Sequence, residues 1–258
     1  MEVKDLKGLF IAHRGIHNDQ IIENTIPAFS YAISKKIPIE LDINILKDGN
    51  IVVYHDDDLK RLMGINRRLD SYCYSELEKL VFPNTNVHIP LFPDVLKLVS
   101  GKVLLVIEIK KTDIASYPKY CKKILQLLKN YTGDFVIKSF DIRIVSWFLK
   151  NTDYITGLLM IKRKNSIYDF IINQKITLSI LKPDFISVDY YIIGNKLIQD
   201  FRQHHPVLTW TVKSQNILKQ VKDKADSFLI DKDSLFQSIQ EGNSWYLSLL
   251  IIQYFSFN

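Results

Sequence analysis

A chain of 258 residues with 47% hydrophobic and 24% charged residues can bury a sizeable core, a balance that excludes a disordered or collagen-like chain. The formal net charge of +6 permits an anionic partner, but basic residues come in isolated pairs such as Lys35-Lys36, Lys110-Lys111 and Lys122-Lys123, which argues against a nucleic-acid surface. Cys73 and Cys121 give neither a disulfide framework nor metal-type spacing, and read as free thiols they suit the cytoplasm, as do a polar N-terminus and the lack of a membrane-length apolar run.

The first predicted strand, Leu9–Ala12, runs into His13-Arg14-Gly15, and a helix is expected over Thr25–Lys36. The second strand, Ile39–Asn44, carries Glu40 and Asp42. A small extra strand, Ile51–Tyr54, precedes His55-Asp56, and a polar stretch then leads to a short helix near Ser75–Leu80. Residues 51–90 therefore read as an insertion over a barrel mouth. Next come a helix over Pro90–Val99 and a strand over Val103–Ile109 that carries Glu108 ahead of Lys110. In the helix Tyr117–Lys129, residues Tyr117, Cys121, Ile124, Leu125 and Leu128 share a face.

The strand Phe135–Lys138 is followed by a helix over Asp141–Lys150, with Asp141 placed as an N-cap. Strands Thr156–Met160 and Phe185–Val188, a helix over Asn195–His204 capped by Asn195, strand Val207–Val212, helix Gln215–Val221 and strand Ser227–Ile230 complete the series. Eight apolar strands alternating with helices predict an α/β fold, a TIM (β/α)8 barrel with a small insertion after the second strand; a doubly wound open sheet is the alternative. Residues 1–258 form one expected barrel domain. Its apolar C-terminal tail, about 243–258, is too short to span a bilayer and is expected to pack on the barrel or on a second copy rather than on a membrane.

Catalytic residues in such barrels sit at the C-terminal ends of the strands. Here His13, Glu40, Asp42, His55 and Glu108 all fall in that position or follow it closely. Carboxylates inside apolar strands are the informative feature, because burying them is costly unless they are paired or bind a cation. Glu40 and Asp42 are two apart and point the same way, inward, since Leu41 and Ile43 then face the helices. With Glu108 from the next barrel strand they form an oxygen-ligand set suited to a hard ion, Mg²⁺ or Ca²⁺; ion pairs with Arg14 or Lys110 are the alternative. His13 and His55 suit an acid/base pair. Arg14 offers a planar fork to a phosphate, Lys110 a point charge, and Gly15 a tight turn. Together these residues describe phosphoryl chemistry on an anionic diester. His17 and His88 read as loop residues.

The runs Ile11-Ala12-His13-Arg14-Gly15, Glu23-Asn24-Thr25, Ile39-Glu40-Leu41-Asp42, Lys47-Asp48-Gly49 and His55-Asp56, with Ile107-Glu108-Ile109-Lys110, Ser139-Phe140, Trp210-Thr211-Val212 and Ile230-Asp231 later on, resemble the glycerophosphodiester phosphodiesterase family from about residue 9 to 235. The resemblance implies a phospholipase-C-like TIM barrel that hydrolyses glycerophosphodiesters to sn-glycerol 3-phosphate and an alcohol with Mg²⁺ or Ca²⁺. It implies that His13 and His55 are the acid/base pair, that Arg14 and Lys110 bind phosphate, and that Glu40, Asp42 and Glu108 hold the metal. Glu23 is implied at the mouth and Trp210 as an apolar pocket wall. The partner implied is the small-molecule substrate, with no nucleic acid. Two departures stand out: Leu46 where the family usually has Thr, and Lys213 where it has Asn. A lysophospholipid- or sphingomyelin-cleaving sibling and an inactive binding barrel are the rival readings.

Overall fold

The computed structural model describes residues 1–112, 116–161, 175–231 and 233–242. The expected packing of the apolar tail lies outside the described residues. In chain order the strands are β1 (Phe10–His13), β2 (Ile39–Ile45), β3 (Ile51–Val53), β4 (Asp58–Leu59), β5 (Ile65–Arg68), β6 (Leu105–Ile109), β7 (Phe135–Ser139), β8 (Thr156–Met160), β9 (Phe185–Asp189), β10 (Val207–Val212) and β11 (Ser227–Ile230). Eight of them, β1, β2 and β6 to β11, pair in parallel with their neighbours, and the β1–β2 and β1–β11 pairings close the ring. This is a TIM barrel, not an open sheet. β1 lies beside β2 only at Ala12↔Ile39 and His13↔Glu40, which leaves the far end of β2 free for antiparallel β3 at Ile43↔Val53.

Alternation along the strands sorts side chains to two sides. Ile11, Val106, Val136, Phe185, Leu208 and Leu229 meet inside the barrel, where Leu6, from a 3-10 turn at Val3–Leu6, and Leu9 join them. Gly157 in β8 makes room for this layer, since a Cβ there would stand 2.4 Å from the Phe185 ring. Leu41, Ile43, Ile107, Ile109 and Ile137 point outward to the helical layer. That layer includes α1 (Ile26–Ser34), α2 (Lys60–Met63), α3 (Tyr74–Leu77), α4 (Phe92–Val99), α5 (Tyr117–Leu128), α6 (Ile142–Asn151), α7 (Lys175–Leu181), α8 (Lys196–Arg202), α9 (Gln215–Val221) and α10 (Asp233–Gly242), of which α2 and α3 belong to the insertion.

The caps expected at Asp141 and Asn195 are present: each side chain accepts a hydrogen bond from the backbone two residues on, Arg143 N and Leu197 N, both at 2.9 Å. The buried face of α5 is shifted from the expected one. Tyr120, Cys121, Ile124 and Leu128 are buried while Leu125 is only partly so, because the Tyr120 hydroxyl reaches in to donate to the Ile43 carbonyl at 3.0 Å. The stretch 51–90 has an apolar cluster of its own, built from Val52, Tyr54, Leu59, Leu69, Phe82 and Ile89 among others. Within it the β4–β5 hairpin and α2 have no signal in the sequence, and neither has α7 between β8 and β9.

Candidate active site

The strand register builds the mouth. His13 pairs with Glu40 across β1 and β2, Asp42 with Glu108 across β2 and β6, and Glu108 with Lys138 across β6 and β7. Residues in register on neighbouring strands face the same side, so these side chains stand together above the inner apolar layer. His13, Glu40, Asp42, Glu108 and Lys138 are all buried.

After β1 the chain turns through two left-handed residues, Arg14 at φ 61° and Gly15 at φ 78°. A Cβ on Gly15 would stand 2.9 Å from the Ala28 Cβ, so the turn lies directly against α1. The turn aims the Arg14 backbone N–H at Glu40 Oε2, 3.1 Å away, and sends its guanidinium to Glu23 Oε1 at 2.6 Å and to within 3.4 Å of Asp42 Oδ2. Asn24, also left-handed, donates to Asp42 Oδ2 at 2.9 Å.

Glu40, Asp42 and Glu108 place one carboxylate oxygen each within 4.8 Å of the others. Cations surround them. Lys110 Nζ lies 2.8 Å from Glu108 Oε1 and 3.3 Å from Asp42 Oδ1, and Lys138 Nζ lies 2.8 Å from Glu40 Oε1 and 3.8 Å from Glu108 Oε2. Burial pushes the Asp42 carboxyl up, but Lys110, Arg14 and the two histidines His55 and His13 outweigh it and hold the carboxyl far below the usual range. Burial lowers the Lys110 ammonium, and Glu108 and Asp42 more than reverse that.

Both alternatives left by the sequence, ion pairing and cation ligation, are therefore built from the same acids. Glu40 Oε1 and Asp42 Oδ1 are buried and contacted by lysines, yet neither accepts a hydrogen bond in good geometry. Three carboxylates that converge within 4.8 Å, two of them with a buried oxygen that accepts no hydrogen bond, fit a hard divalent cation.

Each candidate histidine is oriented by a carboxylate. His13 Nδ1 lies 2.8 Å from Asp231 Oδ1 and His55 Nδ1 lies 2.6 Å from Asp56 Oδ1. An ionised carboxylate only accepts, so Nδ1 carries the proton in both rings and Nε2 is left for the site. His13 Nε2 lies 3.9 Å from Glu40 Oε2. Burial raises the Asp231 carboxyl, and the hydrogen bond and charge of His13, with His17 and Lys213, bring it well below the usual range.

Arg61 links the two halves of the site. It donates to Asp56 Oδ2 at 2.6 Å and grips Glu23 with two bonds of 3.0 and 2.6 Å, while Glu23 also takes Arg14. The β1 turn and the insertion are tied through this chain of charges. Trp210, in register with Asp189, faces the mouth from the opposite wall; its ring meets Phe140 edge-on at 5.8 Å, and its buried Nε1 has no acceptor among the described residues.

All nine residues singled out from the sequence thus lie at the mouth end, and the acids, Arg14, Lys110 and His13 are in direct contact. Sequence reasoning missed Lys138, and it placed Asn24, Asp56, Arg61 and Asp231 within or beside the motif runs without giving them a role. Lys138 was accessible through alternation, two residues beyond inward-facing Val136. Asp231 was accessible as the polar residue that ends β11. His17 is closer to the site than expected of a loop residue, with Nε2 3.7 Å from Asp231 Oδ1, whereas exposed His88 only meets the Leu80 carbonyl.

The profile of the glycerophosphoryl diester phosphodiesterase family matches residues 13–233. The chain belongs to that family. A glycerophosphodiester phosphodiesterase of Caldanaerobacter subterraneus subsp. tengcongensis is 34% identical over 146 residues, 53% of this chain and 59% of that protein. Human lysophospholipase D GDPD1 is 41% identical over 68 residues, 26% of this chain and 21% of that protein. These matches leave a large share of the relatives uncovered: the chain spans little more than half the length of the bacterial curated relatives. Among solved structures, a glycerophosphodiester phosphodiesterase of Thermotoga maritima superposes with a TM-score of 0.71 at 26% identity, covering 90% of this chain and 98% of that one.

Proposed function

We propose that the chain hydrolyses glycerophosphodiesters to sn-glycerol 3-phosphate and an alcohol, through a single barrel domain that carries residues 51–90 as an insertion. The observation that carries this reading is the pairing of two carboxylate-oriented histidines with three buried carboxylates at one end of the barrel. Family membership supplies the substrate class. In this reading Glu40, Asp42 and Glu108 hold a divalent cation, Mg²⁺ or Ca²⁺, which when bound polarises a phosphoryl oxygen.

The chain's own groups do the rest. Arg14 and Lys110 take the phosphate's remaining charge, Arg14 with a fork that Glu23 holds in place. His13 and His55 present Nε2 to the diester, one to receive the proton of the neighbouring glycerol hydroxyl as it attacks phosphorus and the other to protonate the departing alkoxide. With roles exchanged they deliver the water that opens the resulting cyclic phosphate. Asp231 and Asp56 keep each ring in the tautomer this needs. Trp210 supplies an apolar wall. The two free thiols, Cys73 and Cys121, support a reducing, cytoplasmic setting, and no helix among the described residues is long and apolar enough to cross a membrane.

A second reading has one observation in its favour. After β8 and β9 a groove of about 380 Å³, lined by Met160, Ile192, Leu197 and Ile198 together with Tyr191, Gly194 and Asn195, offers partly apolar room for an acyl chain. Assays on glycerophosphocholine and lysophosphatidylcholine, with the phosphate-bearing product identified, separate the two. The proposal expects sn-glycerol 3-phosphate from the first substrate at the higher kcat/KM. Preference for the lysolipid transfers the function to that class.

A further inference from the structure

Lys138 is the most deeply placed cation of the mouth. Its ammonium-bearing side chain is 1% exposed, against 15% for both Arg14 and Lys110. It rises from β7 in register with Glu108 and lies 2.8 Å from Glu40 Oε1 and 3.8 Å from Glu108 Oε2. A phosphate arriving at the mouth meets Arg14 and Lys110 first, so Lys138 serves the acids rather than the substrate. With it included, the inner site holds three carboxylates, Glu40, Asp42 and Glu108, against three cationic heads, Arg14, Lys110 and Lys138.

The formal charge of these six groups is zero before any cation enters, and one negative when Glu23, bonded to Arg14 at 2.6 Å, is counted with them. Placing a divalent ion among the three acids leaves an excess of positive charge in a buried pocket, and uncompensated buried charge is costly. An anionic phosphate ester restores the balance. We infer that Lys138 is a built-in counter-charge that positions Glu40 and Glu108 and makes the site take up its divalent cation and its anionic substrate together, each binding weakly alone. This rests on the cation-binding reading of the three acids.

Coupling of this kind is reciprocal: the factor by which the anion tightens the cation is the factor by which the cation tightens the anion. A unit charge a few ångströms from the bound ion, in a partly screened site, is enough to move affinity by about tenfold or more.

The test is calorimetric titration of the full chain with Mn²⁺, with and without saturating sn-glycerol 3-phosphate, for wild type, Lys138→Met and Lys138→Gln. For wild type, the anion is expected to tighten Mn²⁺ by at least about tenfold. In the variants Mn²⁺ alone is expected to bind about tenfold tighter than in wild type, with a smaller gain from the anion. A merely structural lysine would change thermal stability and leave Mn²⁺ affinity where it was. The wild-type titrations need no substitution, so they can still overturn the inference if one variant fails to fold, and the share due to Lys138 is read from the variant that folds. Equal Mn²⁺ affinity with and without the anion in wild type, or no change on substitution, overturns the inference and leaves the cation reading intact. Hydrolysis of glycerophosphocholine by a wild type that takes up no Mn²⁺ in either titration overturns both.

Discussion

At the end of β11 the Asp231 carboxylate accepts from His13 Nδ1 at 2.8 Å and stands 3.7 Å from His17 Nε2. Its hold on the ring is what leaves Nε2 facing the acids. Asp231→Asn keeps the shape but offers an amide that can donate, so the ring loses its fixed tautomer. The expected result is a fall in kcat on the order of 10²-fold with KM little changed, measured by steady-state kinetics. The same carboxyl is held well below its ordinary range in the folded chain. Its contribution to stability is therefore complete above the unfolded-state value of about 3.9 and is lost as pH falls toward the folded value. The margin of wild type over Asp231→Asn in urea unfolding should be largest at neutral pH and shrink below about pH 5. A margin equal at pH 7 and pH 3 contradicts the pairing.

Among the elements, the turn after β1 concentrates the most geometry in the fewest residues. Gly15 sits at φ 78° with Ala28 in the way of any Cβ, and its neighbour Arg14 contacts Glu23, Glu40 and Asp42. Gly15→Ala adds a left-handed alanine and a backbone clash at one position, a cost of about 1–3 kcal/mol. Relief of the clash moves Arg14, so KM should rise along with the loss of stability seen by denaturation. Unchanged KM at lowered stability would show that Arg14 does not depend on the turn.

The barrel strands were readable because continuous apolar runs such as Thr156–Met160, Val207–Val212 and Ser227–Ile230 are buried on both faces, and their bounds agree with the structure. The β4–β5 hairpin was not, since Asp58–Leu59 and Ile65–Arg68 offer little apolar pattern and Leu59 is buried only by the insertion's own cluster. Alternation along β7 turns Lys138 inward, but its partners Glu40 and Glu108 lie on other strands, and only the register brings them together.

At the scale of the molecule, ring closure places these strand ends on one rim. His13, Glu40, Asp42, Glu108, Lys138, Trp210 and Asp231 come from six strands or their ends, far apart in the chain and adjacent only once β1 pairs with both β2 and β11. The motif residues of the first third of the chain were legible as a group, while the supporting partners from β7 and β11 needed the closed barrel. The insertion takes part as well, because Arg61 and Asp56 carry the orientation of His55 back to Glu23 and the β1 turn. On the function proposed for this arrangement, the chemistry depends on a divalent cation held by the acids and on a proton handled at His13. The direct test is release of sn-glycerol 3-phosphate from glycerophosphocholine by the full chain, followed with Mg²⁺, with Ca²⁺ and with a chelator, for wild type and His13→Ala. The account predicts turnover with at least one of the cations, loss of that turnover in chelator, and a drop of at least about 10²-fold on substitution. Turnover that survives the chelator or the loss of His13 would contradict it.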